Sequence, residues 1–145
     1  MKMDKAEWGE GPWQSEADRV EFKAHGLPCL LKRNQFGVWC MYVGVPAGHA
    51  WHGKLYQDID VGCHGGLTYS AQCDGDPVDG ICHVPDPGEP EHAWWLGADF
   101  GHAFDVCPAI DAKYPAIRGG QGRYWTQEEV QAQCVGLARA CMEAS

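Results

Sequence analysis

The stretch LPCLLKRNQFGVWCMYVGV, residues 27–45, decides the fold. Cys29, Leu30 and Leu31 precede the turn-like Asn34-Gln35-Phe36-Gly37, and Val38 through Val45 then run almost wholly apolar. Two apolar runs joined by a short polar turn with glycine predict a β-hairpin. Pro46 and Gly48 end the second strand. Upstream, Val20, Phe22 and Ala24 alternate with charged neighbours, the period of a further strand. Downstream, residues 58–64, 81–84 and 94–100 read as strands, with Gly65-Gly66 breaking the first of these before Leu67-Thr68-Tyr69. Residues 73–91 are rich in proline, glycine and acids and read otherwise as loop.

The last segment carries the clearest helix signal. Thr126 and Glu129 form an S/T-x-x-E capping box, and Trp125 can staple onto Val130. Val130, Cys134, Leu137 and Cys141 fall on one helical stripe. Strands first and a helix last predict an α+β fold, a mainly antiparallel β-sheet with a C-terminal α-helix packed on it. The 145 residues make one domain, 1–145, in which residues 1–15 form a mobile or loosely docked arm.

Composition narrows the function classes. Hydrophobic residues are 45% and charged residues 21%, so the chain can build a core. No apolar run approaches the roughly 20 residues of a membrane span. The opening MKMDKAEWGEGPW has no apolar stretch behind its lysines, so no secretory leader is expected and the predicted compartment is a cytoplasm. A net charge of −9 argues against a surface that tracks nucleic-acid phosphates. The eight cysteines show no C-x-x-C pair and are predicted to be reduced thiols.

Seven tryptophans and seven histidines are the unusual counts, and polar residues gather in a few places. In Asp58-Ile59-Asp60-Val61-Gly62-Cys63-His64, alternation puts Asp58, Asp60 and His64 opposite Ile59, Val61 and Cys63. A solvated outer face would account for these aspartates too. Thr68 and Tyr69 add hydroxyls just after the glycines. In Trp94-Trp95-Leu96-Gly97-Ala98-Asp99, Trp95 and Asp99 share a face, and His102 and Asp105 follow at spacings of three. His49, Trp51 and His52 lie on a glycine-flanked loop, and His83 on a short apolar run. One pocket is predicted to gather the 49–52 loop, the 58–69 segment and the 99–105 turn. Its ligand-binding set is His49, Trp51, His52, Asp58, Asp60, His64, Thr68, Tyr69, His83, Trp95, Asp99, His102 and Asp105.

No catalytic signature or cofactor motif stands out. There is no G-x-S-x-G, and the glycine-rich stretch 119–123 lacks the phosphate-loop ending. Residues 74–80 resemble a calcium loop, but Pro85 stands where its bidentate glutamate belongs. If the chain is an enzyme, His64, Asp99 and His102 are the catalytic candidates. If it holds a metal, His64, His83, Asp99 and His102 are the ligand types.

The runs Leu27-Pro28-Cys29 to Val45-Pro46, Gly48-His49, Trp51-His52-Gly53, His64-Gly65-Gly66-Leu67-Thr68-Tyr69, Cys82-His83-Val84-Pro85 and Trp94-Trp95-Leu96-Gly97 to His102 resemble a family of small bacteriophage and prophage proteins. The resemblance covers roughly residues 25–106. Its usual form resembles W-W-L-G-F-D-C-x-H-x-G-D, and this chain has Ala98, Phe100 and Phe104 where that form has Phe, Cys and Gly. Asp99, His102 and Asp105 are spared, while no role of the family cysteine carries over. The resemblance implies a phage protein in the cytoplasm of a bacterial host, and no mechanism.

Three functions stay open. The first is a phage accessory protein that binds a small polar, nucleotide-like ligand, a candidate for sequestering a host immune signal. Its difficulty is charge, since only Lys54, Arg118 and Arg123 lie near the candidate loops. The second is a small hydrolase with a His/Asp site, with or without a metal. The third is an acidic inhibitor of a host protein complex. The expected partner is a small molecule, with no nucleic-acid backbone, no membrane, and room for a homo-oligomer.

Overall fold

The computed structural model describes residues 2–87, 89, 92–102, 105–114 and 122–144. Arg118, Phe104 and the glycine-rich connection at 119–121 lie outside them. Five strands form one sheet: β1 (Arg19–Ala24), β2 (Leu27–Arg33), β3 (Trp39–Val45), β4 (Tyr69–Gln72) and β5 (Trp94–Asp99). Their spatial order is β1-β2-β3-β5-β4, and every neighbouring pair is antiparallel. Helix α1 (Pro108–Lys113) is short, and α2 (Gln127–Ala144) lies across β2 and β3. The α+β architecture expected from the sequence is the one observed.

The β2–β3 hairpin closes through Asn34. Its backbone N–H donates to Val38 O at 2.9 Å, and its Oδ1 accepts from Phe36 N–H and Val38 N–H. An asparagine that bonds the backbone two residues on is a turn former. The α2 box also forms. Glu129 N–H donates to Thr126 Oγ1 at 3.2 Å, and Thr126 N–H donates to Glu129 Oε1 at 3.1 Å. Val130, Cys134, Leu137 and Cys141 are buried against Leu31, Trp39, Met41, Val43 and Leu96 on the helix-facing side of the sheet. The other face carries a smaller cluster, Leu30, Cys40, Tyr42 and Trp95, with Tyr69, Ile81 and Ala93 packed on it.

Residues 2–18 are tied down by charge. Lys5 Nζ donates to Trp13 O and Glu16 O, both at 2.8 Å, and pairs with Asp18 at 2.7 Å. Arg33 is wholly buried. Its guanidinium donates to Asp18 Oδ1, Gly37 O, Tyr124 Oη, Glu16 Oε1 and Ala17 O, and it lies 4.3 Å over the Trp39 ring. Glu16 Oε2 in turn accepts Gln127 N–H at 2.6 Å in the first turn of α2. A buried cation needs such a complete partner set.

Three expectations are corrected. Residues 58–64 are not a sheet strand: a 3-10 turn, Tyr56–Asp58, leads into extended backbone with no ladder partner. Its burial still alternates, with Ile59 buried and Asp58 and Asp60 exposed, because alternation requires only two unlike faces and not a neighbour. His64 leaves the pattern and turns inward. Residues 81–84 contribute only one bridge, Asp74 to Ile81; Pro85 and Pro87 beyond them offer no ladder donors. Finally, Cys73 and Cys82 form a disulfide with Cα atoms 4.7 Å apart, while the other six cysteines are outside any disulfide. The sequence reading of all eight as thiols leaned on an expected cytoplasmic setting and could not see that the 74–81 loop doubles back on itself.

Candidate functional site

Strand alternation places Trp95, Gly97 and Asp99 on the face away from α2. Cys40 and Tyr42 of β3 join them, because Cys40 pairs with Asp99 and Tyr42 with Gly97. Tyr69 of β4 pairs with Gly97 from the other side. Gly97 has no side chain between the two tyrosines, so their rings meet edge to face at 5.2 Å. A Cβ at Gly97 would lie 2.4 Å from the Tyr42 ring. The result is a cleft of about 260 Å³ lined by Asn34, Cys40, Tyr42, Thr68, Tyr69 and Asp99.

The polar groups of this cleft are unevenly partnered. The Tyr69 hydroxyl is buried and has no hydrogen-bond partner among the described residues. Burial pushes the Tyr69 phenol up, with the Asp74 charge adding, so it keeps its proton and can donate. Burial also raises the Tyr42 phenol and pushes the Cys40 thiol up to about 12, with the Asp99 charge adding to both. Asp99 Oδ1 accepts Gly101 N–H at 3.0 Å. Oδ2 takes no hydrogen bond among the described residues.

Around the end of β5 the polar chain continues. His102 Nε2 lies 3.7 Å from Asp99 Oδ1, too long for a hydrogen bond, and is itself buried with no hydrogen-bond partner among the described residues. The His102 ring packs on Gly65, which sits at φ +68° in a turn closed by Gly66 N–H to Cys63 O. A Cβ at Gly65 would fall 2.0 Å from His102 Nε2, so position 65 demands glycine for space and for its backbone conformation. His64 meets His102 edge-on at 5.2 Å, stacks on Phe100 and lies 4.5 Å from Trp125. Its Nε2 is 2.8 Å from Asp105 Oδ2. The buried Asp105 carboxylate also accepts His102 N–H and Trp125 Nε1–H, both at 3.0 Å.

Thr68, Tyr69 and Asp99 line the cleft, while His64, His102 and Asp105 form a neighbouring cluster joined to it by the 3.7 Å approach of His102 to Asp99. The 49–52 loop joins neither. His49 is buried at the far end of α2, where Nε2 meets Cys141 O at 2.6 Å and Nδ1 accepts Trp51 N–H at 2.9 Å. It satisfies a carbonyl left over at the helix C-terminus. Trp51 packs into the main core. His52 contacts His92 O and, with Trp94, lines a separate hollow of about 280 Å³. His83 lies edge-on to Trp95 at 5.3 Å, with Glu89 4.0 Å away. It is apart from His64 and His102, and among the described residues no three His, Cys, Asp or Glu side chains converge as a metal site. The calcium-like stretch folds on itself: Asp76 Oδ1 accepts Val78 N–H and Asp79 N–H.

Asn34, Cys40, Tyr42 and the nearby Lys32 escaped the sequence reading. Cys40 and Tyr42 hide in an unbroken apolar run, where periodicity assigns no face. The available signal was their spacing of two on a strand able to pair with the Gly97–Asp99 pattern. No family model, no curated protein and no solved structure matches this chain.

Proposed function

We propose that this protein binds a small polar, nucleotide-like ligand in the Tyr69–Asp99 cleft. The observation that carries the reading is the buried Tyr69 hydroxyl, unpartnered among the described residues, in a cleft that the half-free Asp99 carboxylate also lines. An unsatisfied buried hydroxyl costs about 1–3 kcal/mol, a cost that a ligand's hydrogen bond removes. The cleft, about 260 Å³, lies just below the usual ligand range, so it suits one ring-sized moiety with the remainder outside. In the phage setting implied by the sequence resemblance, such binding would sequester a small signal of the host.

Native mass spectrometry of the full chain purified from bacterial cells tests this. The expected result is an adduct of a small organic molecule that is absent from the Asp99→Asn and Tyr69→Phe variants. An adduct retained by both variants, or no uptake of any offered ligand, overturns it.

A second reading, proton transfer by His64, has one observation in its favour. Asp105 holds the Nε2–H, which leaves Nδ1 as a base. It predicts that a bound molecule is recovered changed, and that His64→Gln recovers it intact. The binding reading predicts that the ligand is recovered intact from both proteins.

A further inference from the structure

Beyond ligand binding, we infer that the Cys73–Cys82 bridge is an exchange-active disulfide, opened and reclosed by small thiols while the protein stays folded. Its two sulfurs belong to residues that differ in access. Cys73 is exposed, whereas Cys82 is half-buried. Cys73 also borders, with His52, Gln72 and Trp94, the separate hollow of about 280 Å³. An incoming thiol therefore has room on the Cys73 side. Thiol–disulfide exchange proceeds at the sulfur that a thiolate can reach. The external thiolate bonds to Cys73 Sγ as the Cys73–Cys82 bond breaks, and the electron pair leaves on Cys82 Sγ. A second external thiolate then displaces Cys73. Two small thiols become one small disulfide, and their two protons end on Cys73 and Cys82.

Arg19 assists the release. Its side chain is 8% exposed and its guanidinium donates to Cys82 O at 3.0 Å. Covalent geometry then keeps the positive charge within roughly 8 Å of the Cys82 sulfur. A cation stabilises a nearby thiolate, and a more stable thiolate leaves faster. Glu21, paired with Arg19, and the loop residues Asp74, Asp76 and Asp79 oppose it from exposed positions, where salt and water screen them. The loop is also held by bonds that do not pass through sulfur. Asp74 N–H donates to Ile81 O at 3.0 Å and Ile81 N–H to Asp74 O at 2.7 Å, one residue inside each cysteine. Arg19 adds Gly80 O and Pro77 O. After reduction these bonds keep the two thiols neighbours, so reclosure has almost no loop entropy to overcome.

Incubating the folded full chain with excess glutathione, quenching by alkylation and mapping the labelled peptides tests the inference. Cys73 and Cys82 are expected to become labelled together, with a cooperative thermal melt retained, and glutathione disulfide should restore the bridge. In Cys82→Ser, glutathione disulfide should load Cys73; in Cys73→Ser it should load Cys82 about tenfold more slowly. Arg19→Gln should slow opening by about threefold to tenfold and Arg19→Lys should recover most of the rate, with melts confirming that both fold. A bridge that resists glutathione until denaturant unfolds the chain overturns the inference. So does entry of glutathione at Cys82 in preference to Cys73, or loss of the cooperative melt on reduction, which would make the bridge a structural staple. An unchanged rate in Arg19→Gln overturns the role given to Arg19.

Discussion

Arg33 sits in a core position, with every donor of its guanidinium directed at an oxygen, and two of those oxygens belong to Asp18 and Glu16. Removing the cation leaves Asp18 with Lys5 as its only cation among the described residues and Glu16 with neutral donors only, both at a buried site. Arg33→Ala is therefore expected to cost about 3–5 kcal/mol in urea unfolding, a large share of a domain's usual margin. Asp18 adds a pH dependence. Burial pushes its carboxyl up, but Lys5, the Met3 N–H and Arg33 outweigh burial and hold it below the ordinary 3.8. A carboxyl depressed in the folded state contributes stability above its unfolded value and loses it as pH falls through the folded one. Stability should thus be flat in this respect above about pH 5 and decline below about pH 4, and Asp18→Asn should flatten that acid limb. Tyr69 points the other way. Its hydroxyl has no partner among the described residues, so Tyr69→Phe should leave the free protein's melting temperature unchanged or higher while ligand uptake is lost. A lower melting temperature would mean that the hydroxyl already has a structural partner.

Among the elements, α2 and the 73–82 loop make separable claims. Leu137 is 2% exposed and faces the sheet, so Leu137→Ala should cost about 2–5 kcal/mol. The disulfide closes a short loop that Arg19 already holds by three carbonyls. Chain-entropy reasoning gives the bond about 2–3 kcal/mol. Alkylation in denaturant without reductant should label six of the eight cysteines, and all eight after reduction. Labelling of eight before reduction would remove the disulfide. The elements that sequence made legible are those whose signals are local: the hairpin with its Asn34 turn, and α2 with Thr126, Glu129 and its apolar stripe. Residues 58–64 misled because an alternating segment that lies against a core looks the same as one hydrogen-bonded in a sheet. Asp99, Tyr69, Thr68 and His102 were legible as polar groups beside glycines. Their partners Tyr42, Cys40 and Asn34 were not, since only strand register brings them there. His49 drew attention as an imidazole, yet its partner, Cys141 O, lies 92 residues away and leaves no trace in local sequence.

At the scale of the whole molecule, the net charge of −9 and the nearby Lys32, paired with Cys40 across the sheet, pull on an anionic ligand in opposite directions. Which one wins depends on distance. At 0.01 M salt the screening length is about 30 Å, so an approaching mononucleotide meets the field of the entire acidic chain. At 0.15 M it is about 8 Å, and only charges near the cleft, such as Lys32 one strand beyond Cys40, still act. Repulsion is screened first and the local attraction last. The association rate of GMP is therefore expected to rise between 0.01 and 0.15 M salt, while that of uncharged guanosine stays flat. A protein that tracks phosphates with a basic surface shows the reverse trend, losing affinity steadily as salt is added. Stopped-flow tryptophan fluorescence can follow both, since Trp95 lies in the same face cluster as Tyr42 and Tyr69. A GMP rate that falls steadily from the lowest salt would mean that a broader positive surface steers the ligand.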